Sequence, residues 1–429
     1  MDEARRMNVT RHIKWHCMMS SIGRMNVYQN TAKTLKRQTY ERIAAQDDVS
    51  KLELMKDIDI TSSSLNRVLD ELLHEGWIVE SGLGQSTGGR KPVLYRMNAH
   101  NRYIFGLDIS RVYSVLGLYD LRMNTLYSYR WSMDESMTPE KLVEEVGQQV
   151  QQVLAERHMS RRRILGIGVG AVGPLDHETG MIHHPIYFNA PGWQQVQICR
   201  LLMERTELPA LLDNGTNTAL LGEHWAMRED NVRHVLYVNA GMGIRSAYLS
   251  DGRLMRGAVD KEGAVGQMIV AAGGARLHDQ GNYGALEAYA SIQALEQQVR
   301  QHSRMGLDWT PVAAEHEDQH TAPMDMLDWE RITTRLQQGD PTLQEMFHRS
   351  AGYMGIGLAN LINTLQPERV ILGGALIQAA PGYYDTAIHV AQQQIYGEPA
   401  TYPQFSRGYL QERAASVGAA VMVLERMEM

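Results

Sequence analysis

The chain has 429 residues, 44% hydrophobic and 21% charged, ordinary values for folded domains and enough length for two or three of them. Its two cysteines, Cys17 and Cys199, exclude a disulfide framework and a cysteine-rich zinc site; no apolar run is long enough to span a membrane, and the first residues lack the apolar core of a secretory leader. A soluble cytoplasmic protein is expected. The net charge of −7 argues against a nucleic-acid binder as a whole, but residues 1–102 hold 16 Lys+Arg and 12 Asp+Glu against 26 and 37 in the remaining 327, so a small basic part precedes a large acidic one.

Residues 1–33 read as an N-terminal arm without clear periodicity, and residues 1–24 as a loosely ordered stretch or as lying upstream of a natural start at Met25. A compact unit is expected over 34–100. Lys36–Gln46 has Tyr40, Ile43 and Ala44 on one helical face. In the next segment Ser50 and Glu53 form a capping box, and Leu52, Leu54, Met55 and Ile58 supply an apolar face. A third helix opens at Thr61, a good N-cap, repeats Leu65, Val68, Leu69 and Leu72 at helical spacing, and ends at Gly76. Its first turn carries Ser62, Ser63, Ser64, Asn66 and Arg67, short hydrogen-bonding groups and a guanidinium suited to base edges and phosphates. A small helical bundle with a merely solvated polar face has the same pattern up to this point.

The next segment favours the nucleic-acid reading. Two short strands, Trp77–Glu80 and Val93–Met97, flank the tip GLGQSTGGRKP, where glycines let the backbone approach a phosphate chain and Arg90 and Lys91 supply charge. The unit reads as a winged helix-turn-helix, with Lys51, Thr61, Ser62, Ser63, Ser64, Asn66, Arg67, Gly88, Gly89, Arg90 and Lys91 as the expected DNA contacts. From residue 101 to 429 the pattern becomes strand and helix in alternation, an α/β body. YIFGLDIS, YSVLGLYDL and TLYSYRWSM are consecutive strands. A helix follows with Leu142, Val143, Val146, Val150 and Leu154 on one face, and then ILGIGVGAVG, apolar on both faces as in a covered sheet. Gln301–Asp328 is polar and reads as a long loop or a surface helical insertion; no short-period repeat is evident.

STGGRKPVLYRMN followed by GLDIS resembles the repressor branch of the ROK family (repressors, open reading frames and kinases). The resemblance continues through VGAVGPLDHETGMI, FNAPGW, LLDNGTNTALLGE, NAGMGIRSAYLSDGRLMRGA, EGAVGQMIV, GNYGALEAYAS and GIGLANLINTLQPERVILGGAL, covering roughly Lys36 to Leu424. It implies a two-lobed, actin-like and hexokinase-like body behind the winged unit. It also exposes departures. A sugar kinase needs a carboxylate to take the proton of the attacking hydroxyl, and the family's Asn-Asp-Ala-Asn run is here Asp213-Asn214-Gly215-Thr216-Asn217, which puts Gly215 at the base position. The first phosphate loop has Ser110 and Arg111 where the family has two glycines, and Gly241-Met242-Gly243 follows Asn239 and Ala240 rather than a Thr-containing run.

The family's zinc set of one His and three Cys corresponds to Gln267, His278, Gln280 and Ala285, so no metal and no cofactor is expected. The resemblance places Asn189, Asn214 and Glu287 at sugar-contacting positions, while Ala264 and Gln267 replace a Glu and a His; Asn189, Asn214, Gln267 and Glu287 are the expected ligand residues. These readings imply a repressor of carbohydrate metabolism genes, not an enzyme, whose partners are operator DNA, a sugar or sugar-derived ligand and further copies of itself as a homodimer or tetramer. The alternatives are a DNA-binding sugar kinase and a ligand-independent DNA-binding protein.

Overall fold

The computed structural model describes residues 34–85, 91–185, 188–257, 263–304 and 329–427. The expected arm at 1–33 and the wing-tip residues Gly88, Gly89 and Arg90 lie outside the described residues, as does the polar stretch beyond Arg304 as far as Asp328.

The chain starts with α1 (Leu35–Ala45), β1 (Val49–Ser50), α2 (Lys51–Asp57), α3 (Ser62–His74), β2 (Ile78–Leu83) and β3 (Val93–Met97). The capping box at Ser50 and Glu53 is present, and α2 is only two turns long. That length buries Leu54 and Ile58 but leaves Leu52 and Met55 exposed, so the apolar face is half as wide as the sequence suggests. Helix α3 ends as expected: Gly76 adopts φ of +76°, and Trp77 and Gly76 donate to the carbonyls of Leu72 and Leu73. The second strand begins one residue later and runs three residues further than its apolar pattern, with a register shift between Glu80 and Gly82. Strand β1 pairs with β3, giving an antiparallel order β1-β3-β2. Two residues are too few to show a sequence period, so β1 was not foreseen.

The first large sheet combines β4 (Tyr103–Ile109), β5 (Tyr113–Asp120), β6 (Thr125–Ser132), β7 (Ile164–Ala171) and β10 (Ala210–Asn214) in the order β10-β7-β4-β5-β6. A small ladder, β8 (Leu175–Asp176) with β9 (Met181–Ile182), precedes β10. Helices α4 (Pro139–Glu156), α5 (Ile198–Thr206) and α6 (Gly215–Ala226) accompany the sheet. All five expected apolar positions of α4 are buried, together with Phe105, Leu107, Leu116, Ile167, Val169 and Leu202.

The second unit, Asp230–Glu412, repeats this plan. Strands β11 (Val235–Ala240), β12 (Ile244–Ser250) and β13 (Arg253–Leu254) form an antiparallel meander. Helices α7 (Glu287–Ala290), α8 (Ile292–Arg304), α9 (Trp329–Gln337) and α10 (Pro341–Leu365) lead to β14 (Arg369–Gly373), α11 (Ala375–Ala379), α12 (Tyr383–Gln394) and β15 (Gln404–Ser406). The sheet order β13-β12-β11-β14-β15, with β11, β14 and β15 parallel, matches β6-β5-β4-β7-β10 of the first unit strand for strand. This is a duplication of topology that the sequence does not display as a repeat.

The last helix, α13 (Ala414–Arg426), returns to the first unit. It lies with its backbone directly against glycines: a Cβ on Gly106 would overlap the Ser416 carbonyl, one on Gly168 the Ala419 carbonyl, and one on Gly222 of α6 the Ala414 carbonyl. Gly418 in turn sits against the Thr218 carbonyl. No helix among the described residues is long and apolar enough to cross a membrane.

Gly168→Ala is therefore expected to destabilise the chain by about 3 kcal/mol or more, because backbone on both sides cannot yield. Gly352→Ala, in the middle of α10 with open space around the new methyl, is expected to stabilise by about 0.5–1 kcal/mol. Denaturant unfolding of both variants checks the contrast.

Candidate functional site

Two regions carry the residues singled out in the sequence. The first is the outer face of α3. Its inner face, Leu65, Val68, Leu69 and Leu72, is buried, which leaves Ser62, Ser63, Asn66 and Arg67 exposed. Thr61 accepts the Ser64 amide and also bonds the Ser64 hydroxyl at 2.9 Å, so Ser64 is tied into the cap. Lys51 Nζ donates to the Ser62 hydroxyl at 2.6 Å and joins the start of α2 to the start of α3. Arg67, 84% exposed, lies 3.1 Å from Glu71.

Further along, Asp70, Glu71, His74 and Glu75 share a shallow groove with Ser63, Asn66 and Arg67. Lys36 pairs with Glu75 at 2.5 Å. The face is thus polar and cationic in its first turns and acidic in its last, which confines any approach of a polyanion to the N-terminal half of the helix. The carboxylates that set this limit were not singled out in the sequence, although their spacing of four and five residues was readable. Lys91, at the described edge of the β2–β3 hairpin, is exposed.

The second region is in the two-sheet body. At the end of β10, Asp213 is fully buried, and its Oδ1 accepts the Asn214 amide at 2.7 Å and the Asn217 side-chain amide at 2.9 Å. Asn214 is the N-cap of α6, its side chain accepting from the Thr216 amide at 2.9 Å. Gly215 opens the helix, and a Cβ there would lie 3.8 Å from Oδ1 of Asp108 at the end of β4. The position of the expected base therefore faces a carboxyl but supplies none. Burial pushes the Asp108 carboxyl up to about 7. The β4–β5 connection is a tight turn in which the Ser110 hydroxyl donates to the Tyr113 carbonyl at 2.6 Å. Asn189 is exposed, in a turn anchored by Trp193, which donates to the Met137 carbonyl at 3.0 Å and packs on Phe188.

In the second unit Glu287 and Gln267 are engaged with the protein itself. Glu287 Oε1 accepts the Ile244 amide at 3.1 Å and fills the space beside Gly243, where a Cβ would collide with it. Its Oε2 accepts from Gln267 Nε2 at 2.9 Å and stands 3.8 Å from His278 Nε2. Gln267 Oε1 accepts the Asn282 amide, and the Asn282 side chain donates to the Gln267 carbonyl, both at 2.9 Å. A structural zinc does not fit these donors, since a neutral amide and one imidazole replace the thiolates the metal needs. The hydrogen bonds of Gln267, Asn282 and Glu287 hold the loop in its place. Cys199 is buried beside Gly180, and burial pushes its thiol up to about 12, so it is no nucleophile.

The ROK family model matches residues 104–426. The chain belongs to the ROK family. A curated relative, the xylose repressor of Caldicellulosiruptor bescii, is 27% identical over 385 residues, covering 88% of this chain and 92% of that protein. Among solved structures, a ROK hexokinase from Thermus thermophilus superposes with a TM-score of 0.60 at 28% identity, over 75% of this chain and 98% of its own. A ROK family transcriptional regulator described as a homologue of the E. coli MLC protein reaches a TM-score of 0.71 at 20% identity, over 91% and 95%. The actin-like, hexokinase-like α/β body is thus the family fold.

The raised Asp108 carboxyl has a consequence for stability. Its folded pKa lies above the unfolded one, so its contribution is present at acid pH and is lost as pH rises from about 4 towards 7. Asp108→Asn is expected to gain stability relative to the parent chain across that window, the difference levelling off above it. Chemical denaturation at a series of pH values checks this.

Proposed function

We propose that the chain is a DNA-binding transcriptional repressor of carbohydrate genes, in which residues 34–100 form a winged helix-turn-helix and residues 101–429 form a catalytically silent ROK body that takes a sugar or sugar-derived ligand. The observation that carries the reading is the outer face of α3: a buried apolar side fixes the helix, and Ser62, Ser63, Asn66 and Arg67 are presented together at its N-terminal end. Lys51 and Lys91, with Gly88, Gly89 and Arg90 of the wing, would add phosphate contacts. Thr61 and Ser64 serve this surface by building the cap that holds it.

The kinship with a named xylose repressor over nine-tenths of both chains supports a regulatory role. The chemistry of the body supports silence. Phosphoryl transfer requires a base near the attacking hydroxyl, and Gly215 offers none. Asn189, Asn214, Gln267 and Glu287 remain as the polar groups assigned to ligand recognition, with Glu287 and Gln267 acting as one hydrogen-bonded pair. The protein would work in the cytoplasm as a dimer or tetramer, because two-fold repeats in DNA are matched by two-fold repeats in protein.

Duplex DNA enriched from a random library by the full chain provides the probe. Arg67→Ala is expected to weaken binding by roughly tenfold, in line with loss of a good base or phosphate contact of about 1–3 kcal/mol. Lys91→Ala is expected to weaken binding uniformly across sequences and to make the salt dependence shallower by about one unit of slope. If neither substitution changes affinity, the DNA surface lies elsewhere. The body is tested separately: a panel of pentoses, hexoses and amino sugars is expected to include one that raises Tm and changes DNA affinity, with no phosphorylated product formed from it and ATP.

A further inference from the structure

The N-terminal unit is fastened to the first lobe of the body by two clamps, one at each end of α1. At its start, Arg37 is buried, and its Nη1 donates to the Leu424 carbonyl at 2.9 Å and to the Met427 carbonyl at 3.4 Å. These carbonyls belong to the last turn and the C-cap of α13, where no amide further along the helix can bond them, and a cation is favoured there by the helix dipole. Arg37 Nε is held by Glu41 at 2.7 Å, which fixes the guanidinium in that direction. Just past the other end of α1, the Asp47 carboxylate pairs with the Arg122 guanidinium, and this pairing draws the Asp47 carboxyl below its ordinary range.

Both clamps lead to one turn. In the same helical turn of α13 that holds Arg37, Arg426 reaches Asp213 Oδ2 at 3.9 Å, while the other oxygen of Asp213 holds the backbone and side-chain amides of Asn214 and Asn217. The Arg122 carbonyl accepts the Trp225 indole N–H at 3.3 Å, and Trp225 is on the last turn of α6, whose first residue is Gly215. The two helices between have no slack, because Gly222 and Gly418 bring their backbones into contact. Such packing moves in discrete steps or not at all.

We infer that α1 is the coupling element of this protein: rearrangement of the Asp213–Gly215 turn reaches the N-terminal unit through Asp213–Arg426–α13–Arg37 and through α6–Trp225–Arg122–Asp47. The inference deepens the proposed function, since it takes that turn as the ligand side and the N-terminal unit as the DNA side. A ligand that pulls on Asn214 strains or relaxes the Asp213 carboxylate beside it. The carboxylate in turn sets the position of the helix end that Arg37 grips.

The test is amide hydrogen exchange of the full chain without DNA or sugar, so it is independent of whether the chain represses anything. Arg37→Gln is expected to speed exchange of the α1 amides, residues 38–45, by at least about threefold, since local opening follows the loss of its anchor. Asp213→Asn and Arg426→Gln, both distant from α1 in sequence, are expected to speed the same amides, and the double variant no more than the larger single effect, because both cut one link. Arg205→Gln, which breaks the exposed pair with Glu144, is expected to leave α1 unchanged. Arg426→Gln keeps every other bond of Asp213 and remains informative if Asp213→Asn does not fold. The proposal is overturned if α1 exchanges at the parental rate in Arg426→Gln while Arg37→Gln accelerates it, or if Arg37→Gln itself has no effect.

Discussion

The contact on which the first lobe depends is that of α13 with three glycines. A helix normally stands off a sheet by the length of its side chains, but here Gly106 and Gly168 let carbonyl groups of Ser416 and Ala419 touch the strands themselves. Leu107, Ile109, Val169 and Ala171 beside them are buried. The same helix meets α6 through Gly222 and Gly418, so three elements are locked by backbone rather than by adaptable side chains. The sequence of α13, AASVGAAVMVL, is what such proximity demands: small residues on the contact side and larger ones beyond. Everything that the lobe positions, from the Asp213–Gly215 turn to the grip on Arg37, inherits its precision from that arrangement.

Much of the architecture could be read from the sequence, and the failures have physical causes. Long helices with a full apolar stripe, such as α4, and strands covered on both faces, such as β7, were clear because burial imposes a period over many residues. The cap residues Thr61 and Ser50 and the terminating Gly76 were clear because backbone donors and left-handed residues accept few side chains. Short elements escaped: β1 has two residues, and α2 turns only Leu54 and Ile58 inward although Leu52 and Met55 match its pattern. The doubled sheet plan escaped too, because what is repeated is hydrogen-bond order, which diverged sequences can keep without a shared residue.

For the sites, residue types were legible in the sequence, whereas their hydrogen-bond partners were not. Glu287 and Gln267 were read as groups aimed at a ligand, and they are bonded to each other and to the backbone of the glycine turn. Gly215 was read as standing where the family has its catalytic carboxylate, and only the coordinates show that this position faces Asp108. Arg37 and Arg426 are the most instructive omissions. Each is a single charged residue on a helix, indistinguishable in sequence from a solvated one, and each is mostly withdrawn from water, with a partner, the Leu424 carbonyl for Arg37 and Asp213 for Arg426, at a sequence distance no periodicity can span.

The bond between Arg37 and the Leu424 carbonyl joins residues 387 positions apart. During synthesis at roughly 5–20 residues per second, the N-terminal unit therefore waits on the order of twenty seconds to more than a minute before its Arg37 clamp exists. The first lobe waits as long for the helix that fills its glycine-lined face. A chain cut short before α13 lacks the Arg37 clamp and keeps only the Asp47–Arg122 pair, and the glycine-lined face of its first sheet is left without its helix. The Arg37 clamp, unlike the Asp47–Arg122 pair, exists only once translation has run through α13.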